Sequence, residues 1–334
     1  MLISQASKPL EFTTISIIWL NTCHTGVFKT LMKQLTLMLI PLALAPKAMA
    51  AGDTNNVTLE GSLGVLNGSS TELVYDSTGR KLSQLDWEID NVPIIKLGAA
   101  WDINENWTLK GSFWSVLTDD GDAHMEDRDW LNANQSSPTD ISISPDTKLR
   151  DAHEIDINAT YWLLSQSNYK VGALAGYQYN LFKWDGIGGT YSYNNGADVG
   201  SFPNVVGIDY KQEFSVLYLG LAGEYKLDKS DFGAQLKWSP WVDAKDVDHH
   251  NMRDLTFYEQ SNRNSDFISL SLNYGYHFTP SMKLYAEYVY TKYSEAKADT
   301  TIVDNSSGDS GVVPNGAGLD NHNSTVSVGL KYTF

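Results

Sequence analysis

Asp248 and His250 stand two residues apart at the end of the stretch Trp-Ser-Pro-Trp-Val-Asp-Ala-Lys-Asp-Val-Asp-His-His, residues 238–250. In an extended chain successive side chains point to opposite faces, so this spacing puts the carboxylate and the imidazole on the same face. A carboxylate so placed orients the ring, which can then take a proton from water or a hydroxyl. A second pair with the same spacing, Asp127 and Asp129, lies in Glu126-Asp127-Arg128-Asp129-Trp130. If the two pairs meet around a water, the chemistry is hydrolysis. His250 would be the base and Asp248 its orienting group, while Asp127 and Asp129 would bind and polarise the water. Two carboxylates that close raise the pKa of one member and share a proton. Other readings of the same residues stay open. Paired Asp residues are commonly solvated loop charges or incidental calcium ligands. His249-His250 with nearby Asp could hold a metal, although no His-x-x-x-His spacing or soft third ligand accompanies it, and no metal is expected. A Ser-His-Asp triad lacks a Gly-x-Ser-x-Gly motif.

The elements that must position these groups are strands. In residues 268–278 one face reads Ile268, Leu270, Leu272, Tyr274, Tyr276, Phe278, and the other Ser269, Ser271, Asn273, Gly275, His277. Residues 154–163 alternate in the same way, as do segments near 58–66, 93–101, 107–116, 171–180, 215–225, 232–240, 283–291 and 324–334. Short polar turns fall near 104–106, 165–168, 228–230 and 279–281, and long polar connections (67–76, 117–150, 183–208, 241–262, 295–322) separate the rest. Short turns at one end and long loops at the other, with aromatics near strand ends, are the pattern of an outer-membrane barrel. The chain ends on Val326-x-Val328-x-Leu330-x-Tyr332-x-Phe334, which is similar to the terminal sorting strand of such proteins. The predicted fold is all-β, a ten-stranded antiparallel transmembrane β-barrel with long extracellular loops. A soluble sandwich also alternates, and an eight-stranded barrel is the nearest variant count.

At the N-terminus, Met32-Lys33, an apolar run over 35–44 and Ala48-Met49-Ala50 read as a signal peptide over 32–50. Residues 1–31 read as an upstream extension from a mis-called start, leaving 51–334 as the barrel domain. Residues 1–50 hold Lys8, Lys29, Lys33, Lys47 and Glu11, so the remainder carries 20 basic and 39 acidic residues, a net charge of −19. Such acidity argues against nucleic acid and for attraction of cationic partners. The single cysteine, Cys23, lies in the leader, so no disulfide holds the mature domain.

Several stretches together resemble the omptins, a family of outer-membrane proteases. They are Lys81-Leu-Ser-Gln-Leu-Asp-Trp87, Asp127-Arg-Asp129-Trp130, Ala175-Gly-Tyr-Gln178, Gly200-Ser-Phe-Pro-Asn204 and Tyr210-Lys-Gln212. Trp241-Val-Asp-Ala244 with Asp246-x-Asp248-x-His250 follows, then Asn315-Gly-Ala-Gly318 and Gly329-Leu-Lys-Tyr-Thr-Phe334. The resemblance spans the mature chain in order. It implies a ten-stranded barrel with an extracellular active-site groove and endopeptidase cleavage beside Arg or Lys, often at dibasic sites. It places the catalytic quartet on Asp127, Asp129, Asp248 and His250, and the acids of the substrate pocket on Glu72 and Asp246. Asp140 is a looser match, for the residue after the cut. A guanidinium pocket needs carboxylates that can receive its fork of donors, which agrees with this assignment.

The resemblance also implies a lipopolysaccharide requirement. Here the chain departs from the family. Leu181 and Glu213 stand where enterobacterial members carry Arg, while Tyr177 remains and Lys183 is nearby. The rival readings are a non-catalytic adhesin or binding barrel with acidic loops, a small porin, and a barrel phospholipase. Ten strands leave a lumen that side chains largely fill, which disfavours a pore. No Ser/His pair on the membrane-facing wall supports a phospholipase.

Overall fold

A computed structural model describes residues 56–261 and 265–334. The expected leader over 32–50 and the upstream segment 1–31 lie outside the described residues. Among the described residues no helix is long and apolar enough to cross a membrane.

Ten long strands close a ring through consecutive antiparallel pairs. They are β1 (Val57–Tyr75), β2 (Lys81–Asn104), β3 (Trp107–Val116), β6 (Lys148–Ser165), β7 (Tyr169–Ile187), β10 (Val206–Leu227), β11 (Ser230–Ser239), β14 (Phe267–His277), β15 (Met282–Asp304) and β16 (Ser310–Thr333). Each pairs with the next, and β16 pairs back onto β1, which closes the barrel. The four short turns sit where the alternation breaks. In the β10–β11 hairpin, Leu227 pairs with Ser230 and Asp228 takes the positive φ of 51° that so tight a link requires.

Much of what reads as long loop is strand. β1, β2, β7, β10, β15 and β16 run on past the apolar belt. Shorter strands join them there: β4 (Gly121–Asp129), β5 (Asp140–Ser144), β8 (Thr190–Tyr193), β9 (Asp198–Ser201), β12 (Val242–His250) and β13 (Leu255–Ser261). β4 docks on β2, and β12 and β13 bridge from β10 to β15. The polar composition of these segments reflects an extension standing in water, where the apolar requirement that marks the belt no longer applies.

The wall facing lipid is apolar. Leu217, Leu219 and Leu221 are 69%, 63% and 58% exposed, a row that a water-soluble protein would bury. Their inward neighbours include Val216 and Tyr218, both buried. The lower lumen is filled with charge of both signs. Lys96 pairs with Glu287, Lys331 reaches Glu60 at 2.5 Å, Lys110 reaches Glu60 at 3.4 Å, and Lys237 reaches Asp156 at 2.6 Å. Above this lattice lie two aromatic layers. Phe214 stacks on Tyr293 at 4.2 Å, while Trp87 and Trp184 pack on Tyr210 at 5.0 and 5.7 Å. All five rings are buried.

Candidate active site

All four predicted catalytic residues line one cavity of about 590 Å³ in the extracellular extension. β12 supplies one side of it. Its alternation turns Asp246, Asp248 and His250 inward, and β10 fixes its height by pairing Tyr210 with Asp248 and Ile208 with His250. His250 Nε2 lies 2.6 Å from Asp248 Oδ2, and Phe257 meets the ring edge-on at 5.2 Å. With Nε2–H donating to the carboxylate, Nδ1 carries the lone pair. Arg253 donates to that nitrogen through Nη2 and lines the same cleft. His249 points the other way, with Nδ1 2.8 Å from Thr256 Oγ1, so the adjacent histidines do not form a joint metal site.

β4 supplies the opposite side. Its pairing with β2 sets Asp127 beside Leu85 and Asp129 beside Ser83, and the Ser83 hydroxyl donates to Asp127 Oδ1 at 3.0 Å. Burial, then the charge of Asp129, pushes the Asp127 carboxyl up to about 7. Asp129 is also raised, chiefly by burial. Both shifts favour the protonated form of this couple. Asp140 lines this cleft too, but both its oxygens are engaged, by Thr139 Oγ1 at 2.6 Å and the Asn194 N–H at 2.8 Å.

Below the Asp248–His250 pair lies an acidic pocket. Glu72 on β1 and Asp246 on β12 are both 2% exposed, and they are joined by Glu259 on β13, 3% exposed. One oxygen from each lies within 4.8 Å of the others. Tyr210 donates to Asp246 Oδ2 at 2.9 Å, and Thr300 donates to Glu259 Oε1 at 2.9 Å. Glu72 Oε2, Asp246 Oδ1 and Glu259 Oε2 receive no N–H or O–H from the described residues. Burial, reinforced by neighbouring carboxylates, raises Glu72 and Asp246 well above the usual range, and it is the main cause pushing Glu259 up to about 8. The expected Glu72 and Asp246 thus come together.

Sequence reasoning missed Glu259 and Arg253. Glu259 sits in a segment read as loop. Its signal is visible only once residues 255–261 are seen to alternate, which puts Phe257, Glu259 and Ser261 on one face. Arg253 lies in the turn between β12 and β13 and carries no pattern of its own.

Glu213, at one of the positions that departs from the family, is engaged within the wall. It lies opposite Leu181, accepts from the Tyr179 hydroxyl at 2.5 Å, and pairs with Lys211 at 2.9 Å.

The chain matches the Omptin family over residues 53–334. It is 46% identical over 283 residues to the plasminogen activator of Yersinia pestis, covering 84% of this chain and 90% of that protein. It is 37% identical over 314 residues to the outer membrane protease OmpP of Escherichia coli K12, covering 90% and 99%. The crystal structure of the outer membrane protease OmpT from Escherichia coli superposes with a TM-score of 0.81 at 34% identity, covering 86% of this chain and all of that one. The non-catalytic binding barrel gives way to a peptidase, and the ten-stranded count stands. With its barrel, its extracellular cleft and these relatives, the chain belongs to the omptin family of bacterial outer-membrane proteases.

Proposed function

We propose that the protein cleaves peptides and proteins next to Arg or Lys, including dibasic sites, with a water activated by Asp248 and His250 and without a metal. The observation that carries this reading is the 2.6 Å Asp248–His250 contact facing the Asp127/Asp129 couple in one cleft. Asp248 holds the Nε2 proton, which leaves Nδ1 to act as base. Arg253 occupies that lone pair in the resting site and must swing away before a water can take its place. Nδ1 then takes a proton as the water oxygen attacks the scissile carbonyl. The proton held by the Asp127/Asp129 couple supplies a hydrogen bond to the oxygen on which charge develops. The imidazolium returns its proton to the leaving amine, which closes the cycle.

Glu72 and Asp246 place buried carboxyls, which an arriving cation would help to ionise, where a substrate guanidinium or ammonium would end. The acidic exterior draws cationic chains toward the mouth, an effect that weakens with salt. The test is a quenched fluorescent peptide containing Arg-Arg, offered to refolded wild type and to His250→Ala. Cleavage by the wild type alone supports the reading. Equal cleavage by both removes His250 from the chemistry. Full activity in excess chelator is the expected result, and loss of activity restored by a divalent ion would contradict the metal-free reading.

Lipopolysaccharide is the partner we propose on the outer wall, with lysines in place of the family's arginines. Lys183 lies directly across from Lys211, and Lys245 lies across from Glu213. Lysines receive phosphate as point charges, without the bidentate fork of arginine. The expected activation by added lipopolysaccharide is therefore shallow and salt-sensitive. Removing Lys183 and Lys211 together should abolish it; unchanged activation would place the glycolipid elsewhere.

A further inference from the structure

β8 and the turn after it are held more tightly than an exposed hairpin requires. Asn194, Asn195 and Gly196 all take positive φ, 50°, 57° and 86°. Left-handed backbone at non-glycine residues costs free energy and persists only where the surroundings fix it. Here Asp140 on β5 receives the Asn194 N–H at 2.8 Å, the Thr139 carbonyl receives the Asn195 N–H at 2.8 Å, and Gln135 Nε2 donates to Asn195 Oδ1 at 2.6 Å. The other oxygen of Asp140 takes the Thr139 hydroxyl, and the residue is buried. Asp140 is thus spent as a backbone clamp.

An aromatic column supports the same hairpin from the side of β9. Phe202 packs on Tyr191 at 5.1 Å, and Tyr191 stacks on Tyr193 at 4.6 Å. Gly200 lies opposite Tyr191, and a Cβ there would come within 2.5 Å of the Tyr191 hydroxyl, so any side chain at 200 would displace the ring. The stretch Gly200-Ser-Phe-Pro-Asn204 therefore has a physical task, which is to seat the column. The column ends on Tyr193, which lines the cleft with Asp127, Asp129 and Ser142. Sheet register sets this height, since Asp127 pairs with Ser142 on β5 and Ser142 pairs with Tyr191 on β8. Burial, then the charges of Asp127 and Asp129, holds the Tyr193 phenol above its ordinary value, so it keeps its proton and can donate it in a hydrogen bond.

We propose that Tyr193 is a catalytic residue whose hydroxyl donates a hydrogen bond to the oxygen of the scissile carbonyl, and that Asp140 is the positioning residue that holds it there. The inference rests on the reading of this cleft as the site of peptide hydrolysis. It goes further by naming a second donor beside the Asp127/Asp129 couple and by removing Asp140 from contact with the substrate. As water attacks, the carbonyl carbon becomes tetrahedral and its π electrons move to oxygen. The phenol keeps its proton through this step and only tightens its bond to that oxygen. When the C–N bond breaks, the electrons return and the hydrogen bond relaxes. A donor fixed in advance stabilises the charged intermediate more than the flat carbonyl, so its loss falls on kcat. The clamp matters because a displaced donor costs nearly as much as a missing one.

The experiment uses the folded barrel and two quenched peptides, with Arg-Arg or Arg-Val at the cut. Tyr193→Phe, which keeps the ring stack, should lower kcat on both by about a hundredfold with KM unchanged. Asp140→Ala should lower kcat on both by roughly tenfold or more. Adding it to Tyr193→Phe should cost little further, because the two act through one hydroxyl. Asp140→Asn keeps an oxygen for the Asn194 N–H and should retain most of the wild-type kcat. A carboxylate that seats a basic side chain gives the opposite pattern: both Asp140 variants raise KM on Arg-Arg and spare Arg-Val, and that result overturns the proposal. If Asp140→Ala does not fold, Asp140→Asn alone separates the two patterns. Unchanged kcat in Tyr193→Phe also overturns the proposal, while leaving the proteolytic reading intact. Cleavage of neither peptide by the folded wild type overturns that reading and the proposal with it.

Discussion

The barrel buries charge in two places, and it does so in opposite ways. In the lower lumen Glu60, Glu287 and Asp156 are each matched by a lysine: Lys331 and Lys110, Lys96, and Lys237. In the upper pocket Glu72, Asp246 and Glu259 are matched by no cation among the described residues, and each has an oxygen without a donor there. The lumen lattice is complete within the chain and fills the space a pore would need. The pocket is incomplete among the described residues, and under the proposed function the group that would complete it is a cation from the substrate. Buried charge that is paired serves as scaffold; buried acids left without a counter-charge, beside the Asp248–His250 pair, are what the proposed function reads as a seat for a basic side chain.

The largest expected effect lies outside both regions and sets the scale for them. His250→Ala, or Asp248→Asn, should lower kcat by between about 10² and 10⁴ while the barrel stays folded, as heat-modifiable migration in gels would show. Retained turnover would mean that the cleft is not catalytic.

Next comes the lumen. Lys96→Met leaves Glu287 buried without its partner and should cost about 3–5 kcal/mol of stability, with the Arg preference of the surviving folded barrels unchanged. Urea unfolding in bilayers, read alongside cleavage, checks this. A shift in specificity would erase the distinction between the two regions.

Neutralising the pocket should do the reverse. Glu72→Gln or Asp246→Asn should raise KM for Arg peptides by roughly ten- to a hundredfold, the loss of one charge-assisted contact, with little change in kcat. An unchanged Arg preference would remove those residues from substrate recognition.

The smallest effect concerns stability against pH. The folded pKa of Glu259, about 8, is raised above its unfolded value, so the folded state binds the extra proton. Its contribution is fully present below the unfolded pKa and is lost as pH rises through the folded one. The raised acids Glu72, Asp246 and Asp127 act with the same sign. The extracellular extension should thus loosen as pH rises from the ordinary glutamate value of 4.5 to about 8, and Glu259→Gln should blunt that loosening. Amide exchange of β12 and β13 is the direct readout. A wild type whose protection rises with pH would contradict the sign.

The belt of the barrel was legible in the sequence because lipid on one side and a packed lumen on the other impose strict alternation. The row Leu217, Leu219, Leu221 shows that imprint. The extension above it was not, because water on its outer face relaxes the pattern, and residues 67–75 or 255–261 then read as loop although they are strand. The quartet could be read because Asp-x-Asp and Asp-x-His each fit on one face of one strand. Glu259 could not be found that way, since it meets Asp246 only through the register of β12 on β13. Arg253 meets His250 only through the turn that follows β12.

In the proposed function a positive charge on the substrate completes the pocket and presents the bond to the Asp248–His250 couple. The most direct measurement is kcat/KM for two peptides identical except for arginine or its neutral isostere citrulline before the cut. The account predicts cleavage of the arginine peptide at least roughly a hundredfold faster, carried by KM. Equal cleavage of the citrulline peptide would contradict it, because the buried carboxylates would then have no part in choosing the substrate.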